Sequence, residues 1–147
     1  MAKLVLALDQ GTTSSRSVLF DHDGVAVAIA QQEFPQILPT PGHVEHDCED
    51  IWNSQLATAR QVIQDVGVQP EDIAAIGITN QRETTVLWDR ATGETIGNAI
   101  VWQSRISAGI CEAVQAAGKL DVIREKTGLL LDAYFSASKI KYLLDQD

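Results

Sequence analysis

Three short strand-type runs open the chain, and tight turns join them. Residues 4–8 read as a buried strand, and Ser17-Val18-Leu19-Phe20 is β-branched and aromatic. Asp21-His22-Asp23-Gly24 follows as a turn-forming cluster closed by glycine, and residues 25–30 then alternate larger side chains with alanine. Strands joined this tightly run antiparallel, because a parallel return needs a crossover segment. The chain must therefore begin as a three-stranded antiparallel meander.

Beyond it, residues 34–46 form a loop carrying Pro35, Pro39 and Pro41. Asp47 is placed as an N-cap, with Glu49 and Asp50 in the first turn, where acids suit the helix dipole. Ile51, Trp52, Leu56, Ala59, Val62, Ile63 and Val66 recur at helical spacing, and Gly67 is a fitting stop. Trp52 and Trp88 are assigned to core. Residues 73–79 are an apolar run of strand length, expected to be buried on both faces. Residues 84–88 and 96–102 flank Arg90-Ala91-Thr92-Gly93-Glu94 as a second hairpin, and helical patterns occupy 108–117, 121–126 and 136–144. The fold class is α/β, with helices packed on a mixed sheet. No repeat or linker interrupts residues 1–147, which read as one domain.

Apolar residues make up 45% of the 147 and charged residues 21%, an ordinary globular balance. A formal charge of -9 with no Lys/Arg block argues against nucleic acid or an anionic membrane as partner, though not against nucleotides. No stretch is long enough for membrane insertion. Cys48 and Cys111 show no metal-type spacing, in keeping with a reduced, cytoplasmic location. His22, His43 and His46 show no ligand spacing and read as loop or turn residues.

The turn between the first two strands reads "ALDQGTTSSR". It lacks the spacings of the familiar strand-to-helix phosphate loops. A hairpin turn can nonetheless hold phosphate. Gly11 lets the backbone approach closely, successive turn N–H groups form an anion-binding concavity, and Thr12, Thr13 and Ser14 add hydroxyl donors. Arg16 is suited to neutralising charge on a transferring phosphoryl group, and Asp9 to holding a hydrated Mg²⁺. An ordinary polar hairpin bonded to its own backbone has the same composition, and this stretch alone does not separate the two.

A second stretch, "ITNQRETT", joins "DQGTTSSR", "PGHVEHD", "AIVWQSR" and "DAYFSASK" in a series that resembles the amino-terminal part of the glycerol kinase family. That family lies in the carbohydrate-kinase branch of the actin, Hsp70 and hexokinase superfamily. The resemblance runs from Leu4 to the end of the chain. It implies a ribonuclease H-like core beginning with the meander, and ATP-dependent phosphorylation of glycerol to glycerol 3-phosphate. By the same resemblance Asp9 sits near the metal, Thr12, Thr13, Ser14 and Arg16 contact the phosphates, and Arg82, Glu83, Trp102 and Tyr134 bind the polyol. ATP and Mg²⁺ are the implied cofactors, glycerol and ATP/ADP the implied partners, and a homo-oligomer is compatible with a full-length member.

The residue chemistry agrees with those roles. Arg82 offers only donors and Glu83 only acceptors, so together they satisfy hydroxyls in both senses. Neighbours in an extended segment point to opposite faces, so a loop or bulge must turn one of them. Trp102 would cover the C–H face of the polyol and exclude water, and Tyr134 supplies a ring and a hydroxyl. Without the resemblance, Arg82 and Glu83 read as a solvated charge pair, Trp102 as core and Tyr134 as a helix-start aromatic. Two departures from the family pattern, Ser104-Arg105-Ile106 after "VWQ" and Ala133 before the tyrosine, bear on acceptor specificity and loop shape.

The resemblance also implies that the catalytic base, the adenine site and a second domain lie beyond Asp147. Residues 1–147 would then be an incomplete amino-terminal kinase domain, a fragment with little or no activity alone. Alternatives are a kinase for another polyol or sugar of the same family, and a non-catalytic nucleotide-binding module, which would not need the Arg82–Glu83 pair. A nuclease on the same core would need clustered acids for two metals, and near Asp9 only one is available.

Overall fold

The computed structural model describes residues 3–146. In chain order its elements are β1 (Leu4–Gln10), β2 (Ser14–Phe20), β3 (Ala26–Glu33), β4 (Glu45–His46), α1 (Cys48–Val66), a single 3₁₀ turn (Pro70–Asp72), β5 (Ile73–Thr79), β6 (Ala99–Ile100), α2 (Ala108–Ala116), α3 (Leu120–Thr127) and α4 (Ser136–Leu144). The described residues divide into two compact units. One takes residues 3–35 and Glu49–Gln81, the other Gln36–Cys48 and residues 82–146. The chain passes from one unit to the other three times, so no single linker-like stretch marks the division in sequence.

The first unit is a four-stranded mixed sheet in the order β3-β2-β1-β5. β1–β2 and β2–β3 pair antiparallel, as the meander requires, and β5 joins β1 in parallel after the α1 crossover. Alternation sends Leu4 and Leu6 of β1 and Leu19 of β2 to one face, where they meet Val62 of α1 in a buried cluster. Ala28, Ala30 and Ala59 pack around it. The same interface carries a polar seam: the Ser15 and Ser54 hydroxyls pair at 2.8 Å and those of Ser17 and Thr58 at 2.9 Å, all four side chains buried.

That seam corrects two expectations. The buried positions of α1 are Ser54, Thr58 and Val62, spaced four apart. Trp52 stands two residues before Ser54, on the other side of the helix, and is 60% exposed rather than core. β5 is not buried on both faces. It is an edge strand, Ile78 is 75% exposed, and the cluster around Val62 takes in Ile73 but neither Ile76 nor Ile78. α1 does open directly after Asp47, and Gly67 closes it with φ 71°, its N–H reaching the Ile63 and Gln64 carbonyls.

The second unit pairs β4 with β6, and the expected hairpin runs beside them through single bridges at Thr85–Ile100 and Trp88–Thr95. β4, inside the proline loop, carries no strand signal of its own. Trp88 is 61% exposed and not core, because it lies next to the Asp89 turn, where a two-stranded ribbon has no cover. α2, α3 and α4 fall where the helical patterns put them. α2 and α4 are joined at their N-terminal ends by the Ser107–Ser138 hydroxyl pair at 2.8 Å.

Candidate functional site

In the first unit, β2 starts at Ser14, so the turn itself is only Gly11, Thr12 and Thr13. The Gly11 N–H bonds the Ser14 carbonyl at 3.0 Å, and a Cβ on Gly11 would lie 2.8 Å from that oxygen. The turn closes this tightly because position 11 has no side chain. From Ser14 onward the strand period sorts the hydroxyls. Ser15 and Ser17 face α1, whereas Ser14 and Arg16 share the opposite face with Asp9.

Asp9 and Arg16 are register partners. Arg16 holds Asp9 Oδ2 through Nη2 at 2.5 Å and Nε at 3.1 Å, and Asp9 Oδ1 has no partner among the described residues. Ser14 Oγ accepts a hydrogen bond from Gln31 Nε2 at 2.9 Å, which leaves its own proton to donate. Thr12 is half-buried and Thr13 exposed at the tip. The metal and phosphate candidates are thus gathered on one hairpin end. Among the described residues no three His, Cys, Asp or Glu side chains cluster as a metal cage.

The second unit gathers the other candidates. Glu83 is the one non-glycine among the described residues with positive φ, at 63°. That breaks the extended backbone at the Arg82–Glu83 step, the turn that an adjacent donor–acceptor pair requires. Its Oε2 accepts the backbone N–H of Ser136 at 3.2 Å and the Ser136 hydroxyl at 3.0 Å, at the first turn of α4. Arg82 is exposed and makes no hydrogen bond or ion pair among the described residues. The Trp102 N–H bonds Thr84 Oγ1 at 3.3 Å, and the half-buried Trp102 ring meets Tyr134 edge-on with centroids 5.9 Å apart. Glu83, Trp102 and Tyr134 therefore belong to one cluster, to which Arg82 is tied by the chain.

Four residues of this cluster were not singled out by sequence reasoning. Asp132 Oδ1 accepts the Tyr134 N–H at 2.7 Å, and Arg105 Nη1 reaches both Asp132 oxygens at 2.9 and 3.0 Å. The Tyr134 N–H, aided by Arg105, holds the Asp132 carboxyl below the usual carboxylate range. Lys139 is fully buried and donates to the Tyr134 carbonyl, and Ser136 is the partner of Glu83. Three of the four lie within "DAYFSASK". An aspartate two residues before the N–H it accepts is a local signature that sequence alone can raise. The Arg105–Asp132 pair has no such signal.

The chain is similar to known kinases in sequence and in fold. A glycerol kinase of Janthinobacterium sp. (strain Marseille) is 61% identical over 145 residues, covering 99% of this chain and 29% of the relative. The crystal structure of Plasmodium falciparum glycerol kinase with ADP superposes with a TM-score of 0.90 at 30% identity, over 99% of this chain and 29% of that one. A gluconate kinase structure from Lactobacillus acidophilus gives a TM-score of 0.84 at 25% identity, again over 99% and 29%. The chain thus spans under a third of the length of these relatives. Residues 4–147 match the N-terminal domain of the FGGY family of carbohydrate kinases, and the chain belongs to that family.

Proposed function

We propose that the protein carrying this chain transfers the γ-phosphoryl group of ATP to glycerol, giving glycerol 3-phosphate. The observation that carries the reading is the cluster of Glu83, Trp102 and Tyr134, which sets a carboxylate beside an aromatic wall, with Arg82, unpaired among the described residues, adjacent in the chain. Arg82 donates to polyol hydroxyls and Glu83 accepts from them, so each hydroxyl finds its role met. Trp102 covers the C–H face and keeps water from competing as acceptor. The 61% identity to a glycerol kinase favours glycerol within the family.

The hairpin is the proposed phosphate site. Thr12, Thr13 and Ser14 donate to phosphate oxygens, and Arg16 offsets the charge that builds on them during transfer. Mg²⁺ fits the donor chemistry here: it keeps most of its waters and takes one or two carboxylates, and Asp9 offers Oδ1 while Arg16 occupies Oδ2. A bound Mg²⁺ would neutralise phosphate charge. The catalytic base and the nucleoside contacts are proposed to lie outside this chain, so phosphoryl transfer needs more than these residues. No helix among the described residues is long and apolar enough to cross a membrane, and no disulfide joins Cys48 and Cys111. A cytoplasmic setting is the proposed location.

The similarity to gluconate kinase favours one second reading, a kinase for a longer polyol or sugar acid. ADP formation by the native gene product with glycerol, pentoses, hexoses and gluconate separates the two. Glycerol is expected to be the preferred acceptor, and preference for any other overturns the proposal.

A further inference from the structure

Glu83 holds a backbone conformation, φ 63°, that non-glycine residues rarely adopt. Something must hold it there. Its partner is the first turn of α4, where the Ser136 N–H and hydroxyl both bond Oε2 and leave Oε1 without a partner among the described residues. One oxygen is therefore committed to the scaffold and the other is left for a ligand hydroxyl. The placement also puts a carboxylate at a helix N-terminus, its favourable end.

One turn further along α4 lies Lys139, whose side chain is 0% exposed. A lysine is almost never fully buried unless its ammonium is paired. Here it donates to the Tyr134 carbonyl, with its Nζ 6.0 Å from the Tyr134 ring centroid. Asp132 takes the N–H of the same residue. Tyr134 is thus gripped at both its backbone polar groups, and its ring is presented to Trp102. Burial pulls the Lys139 pKa below the ordinary lysine value, and the charges of Glu83 and Asp132 pull it back up.

We propose that the first turns of α4 act as an orienting clamp for the polyol contacts, Ser136 fixing the carboxylate of Glu83 and Lys139 fixing Tyr134. Both are positioning residues, and the proposal rests on the reading of Glu83 and Tyr134 as polyol contacts. The plain alternative is that both merely staple α4 to its surroundings. The two differ in what a variant changes. A staple alters stability alone, whereas an orienting clamp alters the affinity for the acceptor and spares that for ATP.

The test is steady-state kinetics of the native gene product, with thermal unfolding of each variant alongside. Ser136→Ala removes one charge-assisted hydrogen bond and is expected to raise the KM for glycerol about tenfold. The KM for ATP should stay within about twofold, and Ser136→Thr, which keeps a hydroxyl, should recover most of the loss. Lys139→Met, of similar length and apolar, is expected to act in the same direction; if it does not fold, the two Ser136 variants decide. An unchanged glycerol KM in folded Ser136→Ala, with or without a change in melting temperature, overturns the clamp. If Glu83→Gln is impaired while Ser136→Ala is not, the clamp alone falls. If the native protein shows no glycerol-dependent turnover, the glycerol reading falls and the clamp with it.

Discussion

Asp9 and Arg16 face each other across the β1–β2 register, and the Arg16 guanidinium grips a single oxygen of the Asp9 carboxylate. Both side chains are substantially exposed, and a pair of that kind contributes only about 0–1 kcal/mol to stability. Its importance on this account is functional. Arg16→Ala is expected to shift urea unfolding by no more than about 1 kcal/mol. Turnover by the native gene product should fall about a hundredfold or more, as when one transition-state donor is removed. Parallel losses of stability and turnover would show the pair to be structural.

The phosphate hairpin also depends on the missing side chain at position 11. Gly11→Ala places a Cβ 2.8 Å from the Ser14 carbonyl oxygen, which is backbone and cannot swing aside. Opening the turn is expected to cost about 1–3 kcal/mol, as overpacking typically does. The variant should melt lower and show a raised KM for ATP. A variant with unchanged melting and kinetics would mean that the turn tolerates a wider form.

The buried seam between β2 and α1 makes a prediction about coupling. Ser17→Ala and Thr58→Val each remove the buried hydroxyl pair while Gln55 still bonds the hydroxyl that remains, at about 1 kcal/mol apiece. Removing both partners should cost less than the sum, with a coupling of about 0.5 kcal/mol or more. Strict additivity in a double-mutant cycle would rule out the hydroxyl pair as a stabilising contact.

His46 gives the pH dependence. Burial pushes its pKa below the ordinary 6.5, so the folded protein keeps the ring neutral where the unfolded chain would protonate it. Between the lowered value and 6.5 the unfolded state binds more protons, so stability rises with pH there. The contribution is complete above 6.5 and lost as pH falls below it. Asp132, held below its ordinary 3.8, acts only in stronger acid. Melting temperature should decline from pH 7 toward about pH 5, and His46→Gln should flatten that slope. An unchanged slope would assign the decline to other groups.

The meander, the α1 boundaries and the three later helices were legible because each rests on local signals: strand-type runs with turn clusters, an N-cap acid, a C-terminal glycine, helical spacing. Burial was less legible. Trp52 joins the apolar stripe by spacing, yet α1 turns Ser54 and Thr58 inward because Ser15 and Ser17 meet them there. Ile76 and Ile78 read as core because they are apolar, but exposure depends on what packs over an edge strand. In the candidate site, an adjacent Arg82 and Glu83 already required a backbone turn, and Glu83 makes it. Ser136 and Arg105 could not be read in the same way, since each finds its partner through tertiary packing.

The glycerol kinetics of Arg82→Ala in the native gene product test the proposed polyol site most directly. Arg82 is exposed and unpaired among the described residues, so the substitution should leave the melting temperature unchanged. The native protein is expected to form ADP in a glycerol-dependent reaction, and the variant to lose roughly tenfold to a hundredfold in kcat/KM for glycerol. No glycerol-dependent ADP formation, or a variant whose glycerol kinetics match the native protein, would contradict it.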